Sequence, residues 1–326
     1  MVCSFCGDFT AEGATVPNAS TRFLPTRQQL RPWFRRGPAA MPSHLPRLCV
    51  AGDTSGYHGG CDAVMRTLWR LAAAKGWQVV PEGATHDALL VNGEGNMHHG
   101  SKRFHHKMRL LNAAVAAGRP AFLVNSVWQE NPPDYDDLLP RLNGIFVREV
   151  LSQRELAERH GVHADVVPDA SFFDRLPRFT LRRNFRGRPA VTDFYLKPQG
   201  EVFRRHRFER RDTLFPDARP LPFLDLSWGR IVASLRTAGY LITGRHHAVY
   251  AACVARVPFI ASEGNTHKIR GLVTSAQADI LVADTPEEIP TIRAANLERT
   301  GEYERLFSWI GSHDIGRIIP NPGILR

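Results

Sequence analysis

Residues 241–261 read LITGRHHAVYAACVARVPFIA, and they show most clearly how this chain folds. The apolar run at 240–243 predicts a buried strand, and the small-residue stretch 246–256 predicts a helix. A second apolar run at 257–261 predicts the next strand. Strand, helix and strand in this order are typical of a parallel sheet, in which helices connect neighbouring strands.

The same alternation continues on both sides of this unit. Upstream, we predict strands at 48–51, 78–80, 88–91, 121–125, 144–148 and 165–167, and helices at 61–74, 102–117 and 152–160. Further helices are predicted at 228–237, 266–275 and 286–295, and a strand at 280–282. The pattern predicts an α/β fold with two parallel-sheet halves that face each other across a cleft. Ligands bind such sheets outside the carboxyl ends of their strands.

A basic segment separates the two halves. Residues 178–212 hold eleven Lys and Arg side chains with interleaved aromatic residues. We predict an irregular leader at 1–45, an N-terminal α/β domain on the acceptor side at 46–185, and a C-terminal, donor-side α/β domain at 186–326. The basic segment lies near their junction.

Composition narrows the class of protein. The chain has 326 residues, of which 43% are hydrophobic, so it can bury a core. It contains no apolar run near the ~20 residues of a membrane helix, and its first residues lack the pattern of a signal peptide. Its five cysteines are an odd number, which argues against a disulfide framework. We therefore expect a cytoplasmic protein and leave peripheral contact with the inner face of the membrane open.

The net charge of +10 favours an anionic partner. A nucleic acid, an acidic membrane leaflet and a phosphorylated small substrate all fit this charge. The basic segment matches no named nucleic-acid motif, and it equally suits a solvated strap between domains.

Polar side chains follow two neighbouring strands of the second half. Arg245 and His247 begin the helix after the first strand, and Asn265, His267 and Lys268 follow the next. Guanidinium, imidazole, ammonium and free helix amides at one edge suit a carboxylate or a phosphate. We predict all five as site residues and expect His246 to face the core.

Two glycine-rich turns in the first half offer further site residues. Residues 52–60 read GDTSGYHGG after a strand, and they supply Asp53 and His58. Glycines let backbone amides approach a ligand, and any strand-to-helix turn can also be rich in glycine.

The second turn begins Asn92-Gly93-Glu94-Gly95. A carboxylate at the end of a strand is a common position for a general acid or base, and the alternative is a polar turn bonded to its own backbone. We predict Glu94 as catalytic and Asn92 and Gly93 as substrate-binding.

Metal sites are a weaker interpretation. Cys3 and Cys6 form half of a zinc ligand set, and no second Cys-x-x-Cys pair exists in the sequence. The cluster of His98, His99, His105 and His106 fits a solvent-exposed helix start better than a metal centre. We expect no metal and no cofactor.

Taken in order, these motifs resemble the polysaccharide pyruvyl transferase family over roughly residues 48–290. The turn at 50–53 departs from it, since Val50 stands where the family commonly has Asn. The matching motifs are Asn92-Gly93-Glu94-Gly95, Arg148-Glu149-Val150-Leu151-Ser152, Gly161-Val162, Val167-Pro168-Asp169-Ala170, Arg245-His246-His247-Ala248, Val257-Pro258-Phe259-Ile260 and the run 265–272.

The resemblance implies two Rossmann-like domains in a glycosyltransferase-B-like arrangement. It implies transfer of the enolpyruvyl group of phosphoenolpyruvate to a sugar of a cell-envelope polysaccharide or its lipid-linked precursor, as a pyruvate ketal. Arg245 and Lys268 would clamp the donor, and Arg148 would join the binding residues. His247 would act as the acid, with Glu94 or Asp53 as the base.

Two other functions stay open at this point. A glycosyltransferase with a nucleotide-sugar donor would need the same fold and the same cationic rim. A nucleic-acid-binding protein would explain the charge, but a transferase needs no nucleic acid. The sequence leaves the oligomeric state undetermined.

Overall fold

Strands and helices alternate along the chain, as the hydrophobic pattern predicts. The computed structural model describes residues 45–176, 185–196, 204–206 and 211–325. All of these residues belong to one unit, Met41–Arg326. Within it, the described strands form two parallel sheets and one short antiparallel pair.

The first half is built on a six-stranded parallel sheet. Its strands are β1 (Arg47–Ala51), β2 (Gln78–Val80), β3 (Ala88–Glu94), β4 (Ala121–Ser126), β5 (Gly144–Val147) and β6 (Asp165–Val166). They lie in the order β2-β1-β3-β4-β5-β6. The connecting helices are α1 (Gly59–Ala74), α2 (Lys102–Ala116) and α3 (Val150–His160). Because β3 and β4 are buried along their whole length, their sequences are continuously apolar until the site is reached.

The second half carries a five-stranded parallel sheet. Its strands and the short pair are β7 (Ala190–Val191), β8 (Phe194–Leu196), β9 (Arg204–His206), β10 (Arg219–Pro220), β11 (Leu241–Thr243), β12 (Phe259–Ser262) and β13 (Val282–Ala283). The sheet order is β10-β7-β11-β12-β13, and β8 pairs antiparallel with β9. The helices are α4 (Arg211–Leu214), α5 (Trp228–Leu235), α6 (His246–Ala255), α7 (Lys268–Ser275), α8 (Ile289–Glu298) and α9 (Thr300–Gly311).

Short 3₁₀ turns complete the described elements. They lie at Pro133–Tyr135, Leu139–Arg141, Ala170–Phe173, Pro286–Glu288, Ile315–Ile318 and Pro322–Leu325.

The structure confirms the predicted α/β class and two parallel-sheet domains, with differences in detail. Strands β7 and β10 were not predicted: each has two residues, and neither lies on an apolar run of the kind that marks the equally short β6 and β13. Helix α7 begins at Lys268, two residues later than predicted. Residues 1–44 of the predicted leader and residues 178–184, 197–203 and 207–210 of the basic segment lie outside the described residues. The domain boundaries stay predictions.

Helices of the two halves pack directly on each other. Helix α1 packs against α5 and α6, and α3 packs against α7. The contact at α1 is so close that a Cβ atom at Gly59 would lie 2.6 Å from the Trp228 amide nitrogen. Glycine at this position therefore lets the two helices approach. This packing brings the carboxyl ends of both sheets toward one cavity.

The end of the chain returns to the first half. Ile315, Ile318 and Ile319 are buried in the core formed by β1, β3 and α1. The indole nitrogen of Trp77 donates to the Pro320 carbonyl oxygen at 2.7 Å. This crossing ties the last residues of the chain to its first sheet.

None of the helices in the described ranges combines the length and the apolar character needed to cross a bilayer.

Candidate active site

A cavity of about 600 Å³, called the cleft below, lies where the strand ends of the two halves meet. The first half supplies residues after β1, β3 and β5, and the second supplies residues after β11 and β12. Eight of the predicted site residues line it: Asp53, His58, Glu94, Arg148, Arg245, His247, Asn265 and Lys268.

His247 lies between two carboxylates at the start of α6. Its Nε2 atom is 3.5 Å from Asp169 Oδ2 and 3.9 Å from Glu94 Oε1. The ring rests on Gly60, where a Cβ atom would lie 2.7 Å from the His247 Cβ and Cγ atoms. An imidazole held in this position can exchange a proton with a bound molecule.

Asp169 is the fully buried member of this group. Burial alone would raise its pKa, but His247 and Arg148 hold that pKa well below its ordinary value. Its Oδ2 atom accepts a hydrogen bond from Arg148 Nη1 at 2.5 Å. Asp169 is therefore a fixed negative charge beside His247.

Glu94 ends β3 in an uncommon backbone conformation. Its φ of 47° lies in the left-handed region, where a non-glycine residue is strained. The Cys61 thiol donates to its Oε1 atom at 2.8 Å, and the Thr54 hydroxyl donates to its Oε2 atom. Burial, with the charge of Glu94, raises the pKa of the Cys61 thiol far above its usual value, so the thiol stays a proton donor. These donors hold the carboxylate toward His247.

Arg148 and Lys268 bring two positively charged groups to one point, and Asp169 contacts only the Nη1 atom of Arg148. A Cβ atom at Gly95 would lie 3.5 Å from Lys268 Nζ and 3.7 Å from Arg148 Nη2. Arg148 is 1% exposed, and its Nε and Nη2 atoms make no hydrogen bond with any residue that the structure describes. Burial and the neighbouring guanidinium lower the pKa of Lys268 to about 8. Unpaired donors and a depressed lysine pKa mark a site for an anion.

Arg245 has a carboxylate partner within the chain. Its Nε and Nη2 atoms donate to the two oxygens of Asp193, which follows β7. Its guanidinium also lies 5.6 Å from the centre of the Phe223 ring. Arg245, His247 and Lys268 do line one cavity, but the charge of Arg245 is balanced. Arg148 is the guanidinium with unpaired donors.

His58 and Asp53 shape the turn after β1. The Nδ1 atom of His58 accepts from the Gly60 and Cys61 amides at 3.2 and 3.3 Å, so His58 caps α1. Asp53 Oδ1 accepts from the Ser55 amide at 2.8 Å, which closes a local turn. Both side chains border the cleft.

Three predicted binding residues lie outside the cleft wall. Asn92 is buried, with its Nδ2 atom 3.3 Å from the Gly52 carbonyl oxygen, and it supports the turn after β1. Gly93 packs so tightly on Ser126 that a Cβ atom would lie 2.4 Å from its hydroxyl oxygen. His267 turns toward Glu149, 3.3 Å from its Oε1 atom. All three pack against neighbouring residues, and their contact with a ligand stays a prediction.

His246 is buried, as expected of a side chain that faces the core, and its ring packs against Tyr250 with the centroids 4.9 Å apart. The residue also borders the cleft, and its Nε2 atom lies 3.9 Å from Asp169 Oδ2. Burial and the charge of Arg148 hold the pKa of His246 well below its ordinary value, so the ring is neutral.

One group of side chains in the described residues could hold a metal ion. The ligand atoms of His58, Cys61 and His247 lie within 4.8 Å of one another. Because His58 Nδ1 accepts hydrogen bonds from backbone amides, the ring proton is on Nε2. The Nε2 atom lies 3.5 Å from the Cys61 sulfur. A metal ion there would have to displace both that proton and the thiol proton.

The four clustered histidines of the first half separate into different contacts. His98 and His99 contact each other, with their Nδ1 atoms 2.9 Å apart. His105 contacts the Tyr135 hydroxyl, and His106 lies 3.2 Å from a Glu82 carboxylate oxygen.

The cleft continues over the first half beyond Glu94. Its outer wall comprises Ser55, Tyr57, Glu82, Arg103, His106 and Lys107, with Asp53 beside them. Tyr57 is 53% exposed and Lys107 only 4%. Lys107 Nζ donates to the Gly93 carbonyl oxygen at 2.7 Å, and burial lowers its pKa to about 8. This end of the cleft offers the exposed phenol ring of Tyr57 among hydrogen-bonding groups.

Sequence reasoning missed Asp169, Cys61 and Thr54 as site residues. Asp169 follows the short strand β6, and the Pro-Asp pair after an apolar run was its only local signal. Cys61 and Thr54 reach the site because β1 and β3 are neighbours in the sheet. Their distance along the chain from Glu94 hides this contact in the sequence.

Comparisons with known proteins agree with the fold and the motifs. A family model, polysaccharide pyruvyl transferase, matches residues 23–264. No curated protein matches the chain significantly.

Among solved structures, a Listeria monocytogenes protein described as a UDP-N-acetylglucosamine 2-epimerase aligns with a TM-score of 0.52 at 9% identity, over 85% of this chain and 94% of that one. The UDP-N-acetylglucosamine 2-epimerase of Rickettsia bellii aligns at 0.44 and 12% identity, over 84% and 96%. A spinosyn rhamnosyltransferase with thymidine diphosphate aligns at 0.41 and 13%, over 82% and 78%. The Listeria likeness shows the fold alone, and the expected glycosyltransferase-B-like arrangement is confirmed.

Proposed function

Because the chain belongs to the polysaccharide pyruvyl transferase family, we propose that it transfers the enolpyruvyl group of phosphoenolpyruvate to a sugar as a pyruvate ketal. The sugar would belong to a cell-envelope polysaccharide or its lipid-linked precursor. One observation carries the proposal: Lys268 and the unpaired Nε and Nη2 atoms of Arg148 converge beside a histidine that lies between two carboxylates.

The donor would bind at Arg148 and Lys268. Phosphoenolpyruvate carries a carboxylate and a phosphate, and both are anionic groups with oxygens that a guanidinium binds in a bidentate manner. The Nε and Nη2 atoms of Arg148 form one such edge, and Lys268 adds a point charge. Asn265, which accepts from Lys268 Nζ at 2.5 Å, orients that ammonium.

The reaction needs one acid and one base. The methylene carbon of the donor gains a proton, two sugar hydroxyls form bonds to C2 and each lose a proton, and the C2–O bond to phosphate breaks. The phosphate carries away the second proton. His247 would protonate the carbon, because its imidazole borders the cleft and is held between Asp169 and Glu94 beside the two cations. Glu94 would receive a hydroxyl proton, and Asp53 is the second candidate.

The acceptor would lie in the outer cleft. Sugars present apolar C–H faces and rings of hydroxyls, which suit an exposed aromatic ring beside charged hydrogen-bonding side chains. Tyr57 offers the ring, and Asp53 and Arg103 offer the polar groups. A cytoplasmic location would supply phosphoenolpyruvate, and contact with the inner face of the membrane would supply a lipid-linked acceptor.

The identity of the donor is tested by offering the two chemical classes of donor in separate incubations. The purified full chain is incubated with a panel of saccharides and either phosphoenolpyruvate or nucleotide sugars, and released phosphate and nucleotide are measured. We expect acceptor-dependent phosphate release, which His247→Asn abolishes. Nucleotide release without phosphate release would identify a glycosyltransferase instead, and tight, salt-dependent oligonucleotide binding without turnover would identify a nucleic-acid-binding protein.

A further inference from the structure

The N-terminus of α3 in the first half and the start of α7 in the second half meet behind the two cations of the cleft. Glu149, the residue before α3, is fully buried, and its carboxylate accepts from the Leu151 and Ser152 amides at 2.6 and 3.1 Å. The Ser152 hydroxyl also donates to Glu149. Glu149 is therefore held rigidly by its own helix.

His267 approaches this carboxylate from the other half. Its Nε2 atom lies 3.3 Å from Glu149 Oε1 and 3.3 Å from the Ser152 hydroxyl oxygen. Its backbone amide donates to Gln129 Oε1 at 2.9 Å. Both the ring and the backbone of His267 are thus bound to the first half.

The contact extends along α7. The Val150 amide donates to the Ser275 hydroxyl at 2.8 Å. A Cβ atom at Gly271 would lie 2.1 Å from Glu149 Oε2, so only glycine lets α7 approach the carboxylate this closely. Position 271 is therefore a sensitive point of the interface.

Sequence adjacency links this contact to the cleft. Arg148 immediately precedes Glu149, and Lys268 immediately follows His267. We propose that Glu149 and His267 form a positioning pair, which sets the separation of the two cations that bind the donor anion. The inference rests on the proposed donor site, and it assigns both residues to positioning, not to contact with substrate.

The pair also makes donor affinity depend on the charge of His267. The charged groups that face its ring are the carboxylates of Glu149, Glu155 and Glu263. Burial lowers the pKa of His267, but Glu149 and then the other carboxylates outweigh burial and raise it above its ordinary value. The charged pair is complete at low pH and weakens as the pH rises through this raised pKa.

The test compares a glycine-to-alanine substitution at the interface with the same substitution elsewhere in the chain. Gly271→Ala places a methyl group against Glu149, whereas Gly301→Ala, also within a helix, meets nothing within 4 Å. Binding of phosphoenolpyruvate and of inorganic phosphate is measured by calorimetry on the full chain, with thermal unfolding as the check of folding. We expect Gly271→Ala to weaken both anions at least tenfold and Gly301→Ala to change neither.

His267→Gln keeps a hydrogen-bond donor for Glu149 and removes the titratable charge. We expect it to fold, to raise KM for the donor more than it lowers kcat, and to lose the part of the pH dependence of KM that comes from the raised pKa of His267. Wild-type affinity in the folded Gly271→Ala protein, or an unchanged pH profile in His267→Gln, would overturn the positioning pair. A wild-type chain that binds neither anion would overturn the proposed donor site instead.

Discussion

At the scale of single residues, the account depends most on His247. Replacing it with Asn preserves a polar group of similar reach but removes the ability to deliver a proton to carbon. We expect His247→Asn and His247→Ala to lower kcat by ~10²–10⁴-fold, with donor affinity nearly unchanged. Steady-state kinetics with a calorimetric Kd separates the two effects. An equal loss of affinity and turnover in both variants would make His247 a binding residue and direct the search for the acid to Glu94.

The two arginines of the cleft differ in their partners, and this difference can be measured. Arg148→Lys removes the unpaired Nε and Nη2 atoms, so we expect the Kd for phosphoenolpyruvate to rise about tenfold or more, the cost of roughly one charged hydrogen bond. Arg245→Lys instead loses its bidentate contact with Asp193 and should act mainly on stability. If Arg245→Lys weakened phosphoenolpyruvate binding more than Arg148→Lys, the donor would bind at Arg245 and Lys268, as expected from the sequence.

Among the secondary-structure elements, α1 directly follows the turn at residues 52–58, which borders the cleft. His58 caps this helix with its Nδ1 atom. We expect His58→Ala to lower the free energy of unfolding by about 1 kcal/mol and His58→Asn, which retains a capping acceptor, to lower it less. Chemical denaturation of both variants gives the comparison. Equal destabilisation by Asn and Ala would mean that the ring contact with His247, with centroids 5.0 Å apart, matters more than the cap.

The elements that could be predicted from the sequence are those with clear periodicity. Buried strands such as β3 and β4 and the amphipathic helix α2 follow from their apolar patterns. Strands β7 and β10 could not be predicted, because their two residues are not part of an apolar run, whereas the equally short β6 and β13 adjoin such runs. Asp193 follows β7 inside the basic segment. Because β7 was not predicted, the pairing of Asp193 with Arg245 could not be predicted either.

The site residues that could be predicted are those that directly follow a predicted strand. Glu94, Arg245 and His247 follow apolar runs, and all three line the cleft. Side chains that reach the site through tertiary packing, such as Cys61, had no such signal. The position of His267 depends on how α7 docks on α3, which local sequence does not encode.

At the scale of the whole molecule, the cleft concentrates positive charge that titrates in an accessible range. Burial and Arg148 lower the pKa of Lys268 to about 8. Because the ammonium attracts the donor only while it is charged, affinity should be retained below this pKa and fall as the pH rises through it. We expect the Kd for phosphoenolpyruvate to rise up to ~10-fold per pH unit above about 8. Lys268→Met should bind weakly and lose this part of the pH dependence, and a flat wild-type profile would contradict the role of Lys268.

The outer cleft gives a prediction about the acceptor. Tyr57 is an exposed ring beside hydrogen-bonding groups, so it suits the apolar face of a sugar. We expect Tyr57→Ala to raise the KM for the saccharide acceptor by about tenfold and to leave donor affinity unchanged, whereas Tyr57→Phe should resemble the wild type. Kinetics with a fixed donor concentration measures both. A rise in the donor Kd in Tyr57→Ala would place the donor, not the acceptor, at this end of the cleft.

The identity of the donor is the central claim, and calorimetric titration of the full-length protein tests it most directly. Phosphoenolpyruvate, inorganic phosphate and a panel of nucleotide sugars are titrated in turn into the wild type and Lys268→Met at about pH 7. We predict saturable binding of phosphoenolpyruvate by the wild type, competition by phosphate, and loss of both in Lys268→Met. Saturable binding of a nucleotide sugar, with no heat from phosphoenolpyruvate, would contradict the proposed function.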